Sequence, residues 1–167
     1  AVDVGTGSGA IALSLATEGG FEQVIGIDIS PDAAAVAEQN ARAVLQPAHA
    51  RVDIRVGSLL EPLAGEQAQL IVANPPYIAL AEGDALAPGV RDWEPSLALF
   101  GGEDGMSVLQ PLVAQAVDAL APFGWLCLET DARRAAATAA LCETPAWSDV
   151  AVHQDAERQR QDGLRPF

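Results

Sequence analysis

The amino-acid sequence predicts an α/β fold in which helices cover both faces of a mostly parallel β-sheet. Short apolar runs alternate along the chain with segments of helical periodicity, which is the pattern of repeated βα units. The run at residues 1–4 leads through a glycine-rich turn into a helical pattern. The run at residues 70–73 is apolar at every position, which is typical of a strand buried on both faces. The 167 residues suit a single domain.

The turn at residues 5–9 joins the first predicted strand to the first helix. Its glycines are spaced G-x-G-x-G, unlike the G-x-G-x-x-G of dinucleotide-binding proteins. Glycine lets the backbone approach a ligand closely, and this spacing indicates a ligand without a diphosphate. Some glycine turns of this kind only pack tightly. The turn alone therefore predicts a Rossmann-like βα unit and leaves its ligand open.

An aspartate ends the second predicted strand. Asp28 follows the apolar residues 24–27, about 20 positions after the glycine turn, which is the offset at which an acid binds ribose hydroxyls in Rossmann folds. The sequence therefore predicts a cofactor that contains adenosine. Ser30 and Pro31 begin the next helix as its N-cap and first helical residue. On that helix, Asn40 and Arg42 are expected to be solvated.

A third strand is predicted at residues 52–56, where apolar and polar side chains alternate. The loop that follows it contains Gly57, Ser58 and Leu59. We expect this loop to flank the adenine, with Ser58 either binding the base or serving only as a loop residue.

The apolar run at 70–73 opens directly into Asn74-Pro75-Pro76-Tyr77. In open parallel sheets, ligands bind at this end of the strands. The prolines fix φ, hold Asn74 extended and cannot donate backbone hydrogen bonds. The loop therefore offers acceptors, namely the Asn74 side-chain oxygen and nearby carbonyls, to a group with two N–H donors. A primary amide and the exocyclic amine of a nucleobase both fit.

The remaining chain predicts a long loop followed by further βα elements. Residues 78–105 are rich in glycine, proline and acids but too apolar for a linker, and we expect them to form a substrate-side insertion over the Asn74 loop. Helices are predicted at 106–120 and 132–142, on either side of a buried strand at 125–128. Residues 150–167 are expected to form an antiparallel hairpin that closes the sheet.

Composition limits the partners and the compartment. The net charge is −14 and every basic residue is an arginine, which argues against a partner bound chiefly through phosphates. Cys127 and Cys142 are predicted to be reduced core thiols of a cytoplasmic protein, and no metal site is expected. The sequence has no apolar run approaching the roughly 20 residues that span a bilayer, so no membrane association is expected.

The chain resembles the HemK/PrmC family, S-adenosylmethionine-dependent methyltransferases that modify N5 of a glutamine in peptide chain release factors. The resemblance covers essentially the whole chain and rests on DVGTGSG at residues 3–9, Asp28, NPPYI at 74–78 and VRDWEPSLALFGGEDG at 90–105. The NPPY motif is shared with adenine-N6 and other amino-group methyltransferases. The run at 90–105 is much more specific.

The resemblance implies a Rossmann-like class I methyltransferase fold with a mostly parallel seven-stranded sheet and S-adenosylmethionine as cofactor. It also implies a release factor as protein substrate. From the charge and composition we expect no direct nucleic acid partner and a cytoplasmic location, and we expect a monomer. Residues 1–167 are expected to form the catalytic domain, without the helical N-terminal domain by which the family docks release factors. The family's acid after the third strand is replaced here by Gly57-Ser58.

The resemblance places the cofactor along the glycine turn and the glutamine amide on the NPPY loop. Asp3 is expected mainly to order the glycine turn. The implied catalytic residues are Asn74, Pro75 and Tyr77, and these with Pro76 are the implied substrate-binding residues. The implied cofactor-binding residues are Asp3, Gly5, Thr6, Gly7, Gly9, Asp28, Ile29, Ser58, Leu59 and Asn74.

Two other functions stay open at this point. The same loop chemistry suits methylation of adenine N6 or guanine N2 in nucleic acid, although the charge disfavours it. A cofactor-binding module inactivated by truncation is the second. A dehydrogenase fits less well, because the glycine spacing differs and no proton-transfer residue lies near the strand ends.

Overall fold

The computed structural model describes residues 1–85 and 96–154. Its sheet contains five parallel strands in the order β3-β2-β1-β4-β5. These are β1 (Val2–Val4), β2 (Gln23–Asp28), β3 (Arg51–Val56), β4 (Ala68–Ala73) and β5 (Leu120–Leu128). The helices are α1 (Ala10–Glu18), α2 (Pro31–Val44), α3 (Ser96–Leu99), α4 (Leu109–Ala119) and α5 (Ala135–Leu141), with 3-10 turns at Glu61–Leu63 and Leu80–Ala85. The predicted parallel α/β architecture is confirmed.

The strand order reverses beside β1, and this places three strand ends together. Val4, the last residue of β1, pairs with Ile27 on one side and Ala73 on the other. Asp28 and Asn74 therefore stand level with Gly5 at the same edge of the sheet. Such a crevice, at the carboxyl ends of strands where the order reverses, is where open α/β sheets bind ligands.

Apolar residues from the sheet and from helices on its two faces form the core. On one face, strand residues such as Val4, Ile27 and Ile71 cluster with Leu112 and Ala116 of α4. On the other, Ala12 and Ala16 of α1 pack with Val24. Burying each large aliphatic side chain stabilises the fold by about 1.5–3 kcal/mol. The core thus holds the strand ends, and the loops that leave them, in fixed positions.

Strand β5 differs from the prediction of a buried strand at 125–128. Trp125 is 65% exposed and Cys127 is also exposed, whereas Leu126 and Leu128 pack against the core. Side chains alternate between the faces of a strand, and here only one face is covered within the described residues. The prediction that Cys127 is a core thiol is therefore wrong. Cys142 is half-buried.

Other predictions fall partly outside the described residues. The motif at 90–95 lies outside them, as does most of the hairpin expected at 150–167. Residues 150–154 form no strand. Among the described helices, none combines the length and the hydropathy needed to cross a bilayer.

Candidate functional site

The glycine turn forms an open cradle at the end of β1. The N–H groups of Gly5 and Thr6 both donate to the Ile27 carbonyl, at 2.8 and 2.9 Å, which ties the turn to β2. Gly5 and Gly7 have φ values of +71° and +55°, a region that disfavours other residues. A Cβ atom at Gly5 would meet nothing within 4 Å, so space for a ligand lies directly above the turn.

Gly9 serves the packing of the two helices that flank the turn. It is buried, and a Cβ atom there would stand 3.2 Å from Cβ of Ala37 on α2. Its predicted contact with the cofactor stays a prediction.

Asp3 supports the glycine turn from below. It is 1% exposed, and its Oδ2 accepts hydrogen bonds from Thr6 Oγ1 at 2.7 Å and from the Ala12 N–H at 3.0 Å. Burial raises the pKa of Asp3, although these two hydrogen bonds oppose the rise. Asp3 Oδ1 has no hydrogen-bond partner among the described residues. The geometry agrees with the expectation that Asp3 orders the turn. The Thr6 hydroxyl takes part in this by donating to Asp3.

Asp28 is held between the glycine turn and α2. Its Oδ2 accepts the Gly7 N–H at 2.8 Å and its Oδ1 accepts the Ser30 N–H at 2.9 Å. Each carboxylate oxygen keeps further acceptor capacity, which suits a pair of ribose hydroxyls. Ile29 is 62% exposed beside it and offers an apolar surface for a flat base.

The loop after β3 is anchored next to Asp28. The Gly57 N–H donates to the Asp28 carbonyl at 2.9 Å, and the Leu60 N–H donates to Gln115 Oε1 of α4 at 3.0 Å. Ser58 and Leu59 are half-buried between these ties, and Leu59 has a φ of +49°. The loop predicted to flank the adenine therefore lies beside Asp28, the acid predicted to bind the ribose hydroxyls.

The Asn74 loop leaves β4 on the other side of the glycine turn. Asn74 is exposed, Pro75 is buried, and Pro76 and Tyr77 are half-buried. The Ile78 N–H donates to the Leu99 carbonyl at 3.1 Å, so the described part of the 78–105 segment packs against the end of this loop. Acceptor groups of the loop and the glycine cradle thus share one edge of the sheet.

Two side chains that the sequence did not indicate, Asn40 and Gln115, support this site. Asn40, which is expected to be solvated, is half-buried, and its Nδ2 also donates to the Ser8 carbonyl of the glycine turn at 2.8 Å. Asn40 carried no local sequence signal for this contact, which joins residues 32 positions apart. Gln115 carried no local signal. Arg42 is solvated as expected, with its side chain 75% exposed.

A family model described as a methyltransferase domain matches residues 1–91, which carry β1 to β4 and the loops described above. The chain belongs to this methyltransferase family. The family implies S-adenosylmethionine as the methyl donor, in agreement with the cofactor predicted from the sequence. The open cradle, the ribose-suited carboxylate and the exposed Ile29 fit the adenosine part of that molecule.

Curated relatives of the methyltransferase domain carry a consistent name. Release factor glutamine methyltransferases from Geobacter sulfurreducens and Deinococcus radiodurans are 40% and 44% identical to the chain, over 154 and 148 residues. These matches cover 92% and 87% of the chain but 53% and 50% of the relatives. The chain spans about half the length of the curated relatives it matches. The resemblance indicated by the sequence motifs is confirmed.

Solved structures confirm the methyltransferase fold. A ribosomal protein L11 methylase from Lactobacillus delbrueckii subsp. bulgaricus has a TM-score of 0.58 at 22% identity, covering 84% of this chain and 56% of that one. A methyltransferase from Pyrococcus furiosus has the same TM-score at 19% identity, covering 84% and 60%. The described residues contain five strands, and the seven-stranded sheet stays a prediction.

Proposed function

We propose that the protein transfers a methyl group from S-adenosylmethionine to the side-chain amide nitrogen, N5, of a glutamine in a peptide chain release factor. The observation that carries the proposal is the placement of Asn74 level with Gly5, so that an acceptor loop adjoins the cofactor cradle. The names of the curated relatives support the choice of substrate. Residues 1–167 act as one catalytic domain, with 78–105 on the substrate side.

Five groups of the chain would hold the cofactor. The backbone of Gly5 and Gly7 would lie along it, Asp28 would accept the ribose hydroxyls, and Ile29 and the Ser58 loop would flank the adenine. When bound, S-adenosylmethionine supplies a methyl carbon attached to a cationic sulfur. The open space above Gly5 and the acceptor capacity of Asp28 support this assignment.

The Asn74 loop would orient the amide. An amide nitrogen is a poor nucleophile because its lone pair is delocalised into the carbonyl. Acceptors at Asn74 Oδ1 and the Pro75 carbonyl would bind its two N–H groups and increase the electron density on nitrogen, while Tyr77 packs against the amide plane. Alignment of reacting atoms can contribute roughly 7–11 kcal/mol to such a displacement.

The reaction needs no general base. The N–C bond forms as the carbon–sulfur bond breaks, and the nitrogen then carries one proton too many. An N-protonated amide is strongly acidic, so it loses that proton to water. The catalytic task of the loop is therefore positioning and electrostatics.

The acidity of the chain supports a protein substrate over nucleic acid. The net charge is −14, and binding to phosphates draws its affinity from Lys and Arg. We infer a release factor as partner without direct nucleic acid contact, and a monomer that acts in the cytoplasm.

Labelled S-adenosylmethionine offered with a release factor, with its glutamine-to-alanine variant and with RNA tests the proposal. We expect label on the unmodified release factor alone. Label on RNA alone would reject the proposal in favour of nucleobase methylation. Cofactor binding without transfer to any of the three would indicate a binding module.

A further inference from the structure

We propose that Arg134 is a positioning residue for methyl transfer, which holds the loop at residues 74–77 in place from outside the site. Arg134 lies immediately before α5. The inference rests on the proposed function, because it concerns the loop that would bind the glutamine amide. Arg134 acts through the backbone of that loop and touches neither substrate nor cofactor.

Arg134 is the buried centre of a network of charged groups. Its side chain is only 9% exposed. Its guanidinium donates hydrogen bonds to Glu82 Oε2 at 2.7 Å, Asp131 Oδ2 at 2.9 Å and the Asp104 carbonyl at 3.1 Å. These acceptors belong to three separate segments of the chain. One side chain therefore ties the start of α5 to both described ends of the substrate-side segment.

The network reaches the Asn74 loop by two routes. Glu82 Oε2 also accepts the N–H of Ala79, two residues after Tyr77, at 3.1 Å. Gly105 lies between Arg134 and Tyr77, since a Cβ atom there would overlap both the guanidinium and the Tyr77 carbonyl oxygen. The backbone at Gly105 has a φ of +78°. Glycine therefore suits this position both because there is no space for a Cβ atom and because φ is positive. Displacing Arg134 would therefore disturb both the Glu82 contact with Ala79 and the packing of Gly105 against Tyr77.

The segment fixed by Arg134 also supports the loop from behind. The Gly101 N–H donates to the Ile78 carbonyl at 2.9 Å, and a Cβ atom at Gly101 would stand 2.5 Å from the Pro76 carbonyl oxygen. Residues 99–105 therefore form a tight support for residues 76–78. Arg134 anchors the far end of this support at Asp104.

An arginine suits this place better than a lysine. The guanidinium presents its N–H donors in a rigid planar fork, whereas an ammonium is a compact point charge on a flexible stem. Hydrogen bonding to Arg134 is the main reason that the pKa of Glu82 lies below its ordinary value, so this carboxylate stays ionised as an acceptor. The three acceptors around Arg134 each accept a hydrogen bond from a different nitrogen of this fork.

The rate of an in-line displacement depends steeply on the positions of the reacting atoms, and the effect of Arg134 on catalysis follows from this. Moving a reacting atom by about 1 Å can cost on the order of 10²-fold in rate. Loss of Arg134 would leave the acceptors of the Asn74 loop and the cofactor cradle chemically intact, but it would remove one anchor of the segments that support the loop. We therefore expect kcat to fall while cofactor affinity changes little.

Arg133 provides a matched control for this inference. It also pairs with Glu82 and Asp131, at 2.7 and 2.9 Å, but its side chain is 67% exposed.

We expect Arg134→Met to lower kcat for glutamine methylation by about 10- to 100-fold, with the Kd for S-adenosylhomocysteine within about twofold of wild type. Arg133→Met removes the same charge and should change kcat by less than about threefold. Arg134→Lys should recover little of the rate. Equal losses in the two methionine variants, or full recovery with lysine, would overturn the proposal.

A second measurement reads the loop without activity. Tyr77 is the only tyrosine of the chain, so fluorotyrosine labelling gives one fluorine NMR resonance from the Asn74 loop. We expect this resonance to shift or broaden in folded Arg134→Met and to stay unchanged in Arg133→Met. If the wild-type protein methylates no glutamine, the proposed function fails. The positioning role is tested separately, because an unchanged resonance in folded Arg134→Met would reject it. Should that variant not fold, Arg134→Lys takes its place and the same comparison decides.

Discussion

Asn74 is the residue on which the proposed chemistry depends most directly. It is exposed at the end of β4, level with the cofactor cradle. Asn74→Ala removes one pre-organised acceptor for the reacting amide, and we expect kcat to fall on the order of 10²-fold. Cofactor affinity should change little, because the cradle and Asp28 remain. Single-turnover kinetics with calorimetric titration of S-adenosylhomocysteine measure both, and turnover within a few-fold of wild type would reject the role of Asn74.

Asn40 should show the opposite pattern. Its hydrogen bond to the Ser8 carbonyl holds the glycine turn, and a single hydrogen bond contributes about 0.5–1.5 kcal/mol. We therefore expect Asn40→Ala to raise the cofactor Kd by roughly two- to tenfold, while kcat at saturating cofactor stays near wild type. Gln39→Ala, at an exposed neighbouring position of α2, is the control. Equal cofactor affinity in the two variants would show that Asn40 does not support the turn.

At the scale of elements, the alternation of side chains along β5 predicts unequal thiol reactivity. Cys127 is exposed on β5, whereas burial raises the pKa of the half-buried Cys142 thiol. Because the thiolate is the reacting species, we expect Ellman's reagent at pH 8 to modify Cys127 first. Cys127→Ser should abolish the fast phase and Cys142→Ser should retain it. A fast phase that survives in Cys127→Ser would contradict the outward orientation of Cys127.

The elements that carry the site were predictable because their signals are local. An apolar strand followed at once by a glycine turn, an acid or an Asn-Pro pair can be recognised within a few residues. Parallel pairing then brings the ends of β1, β2 and β4 to one edge. Asp28 and the Asn74 loop were therefore placed correctly from the sequence alone.

The supporting contacts were not predictable, because they join distant parts of the chain. Asn40 binds a carbonyl 32 positions away, and Arg134 binds Glu82 across 52 positions. Nothing local distinguishes these side chains from solvated ones. The exposure of Trp125 was missed for a related reason: an apolar run does not show whether both faces of a strand are covered.

At the scale of the whole molecule, the net charge of −14 sets the response to salt. Self-repulsion among the acids destabilises the compact state, and salt screens it over a Debye length of about 30 Å at 0.01 M and about 8 Å at 0.15 M. The partly buried ion pairs of Arg134 are screened much less. Salt should therefore stabilise the fold on balance. We expect a gain of about 1 kcal/mol, or roughly 2–4 °C in Tm, between these concentrations at pH 8.

Two controls separate screening from specific ion binding. Choline chloride should act as sodium chloride does, because screening depends on ionic strength and not on the identity of the cation. The salt-induced gain in stability should also shrink as the pH is lowered towards the isoelectric point of about 4.2, where the net charge vanishes.

Over the same acidic range, Glu82 adds its own pH dependence to the stability of the fold. Its pKa is lowered from 4.5 in the folded state, so its stabilising contribution is present above that value and is lost as the pH falls through the folded pKa. In Arg134→Met this acid-induced loss should be smaller than in wild type, and an identical pH profile for the two proteins would show that Arg134 does not stabilise the ionised form of Glu82.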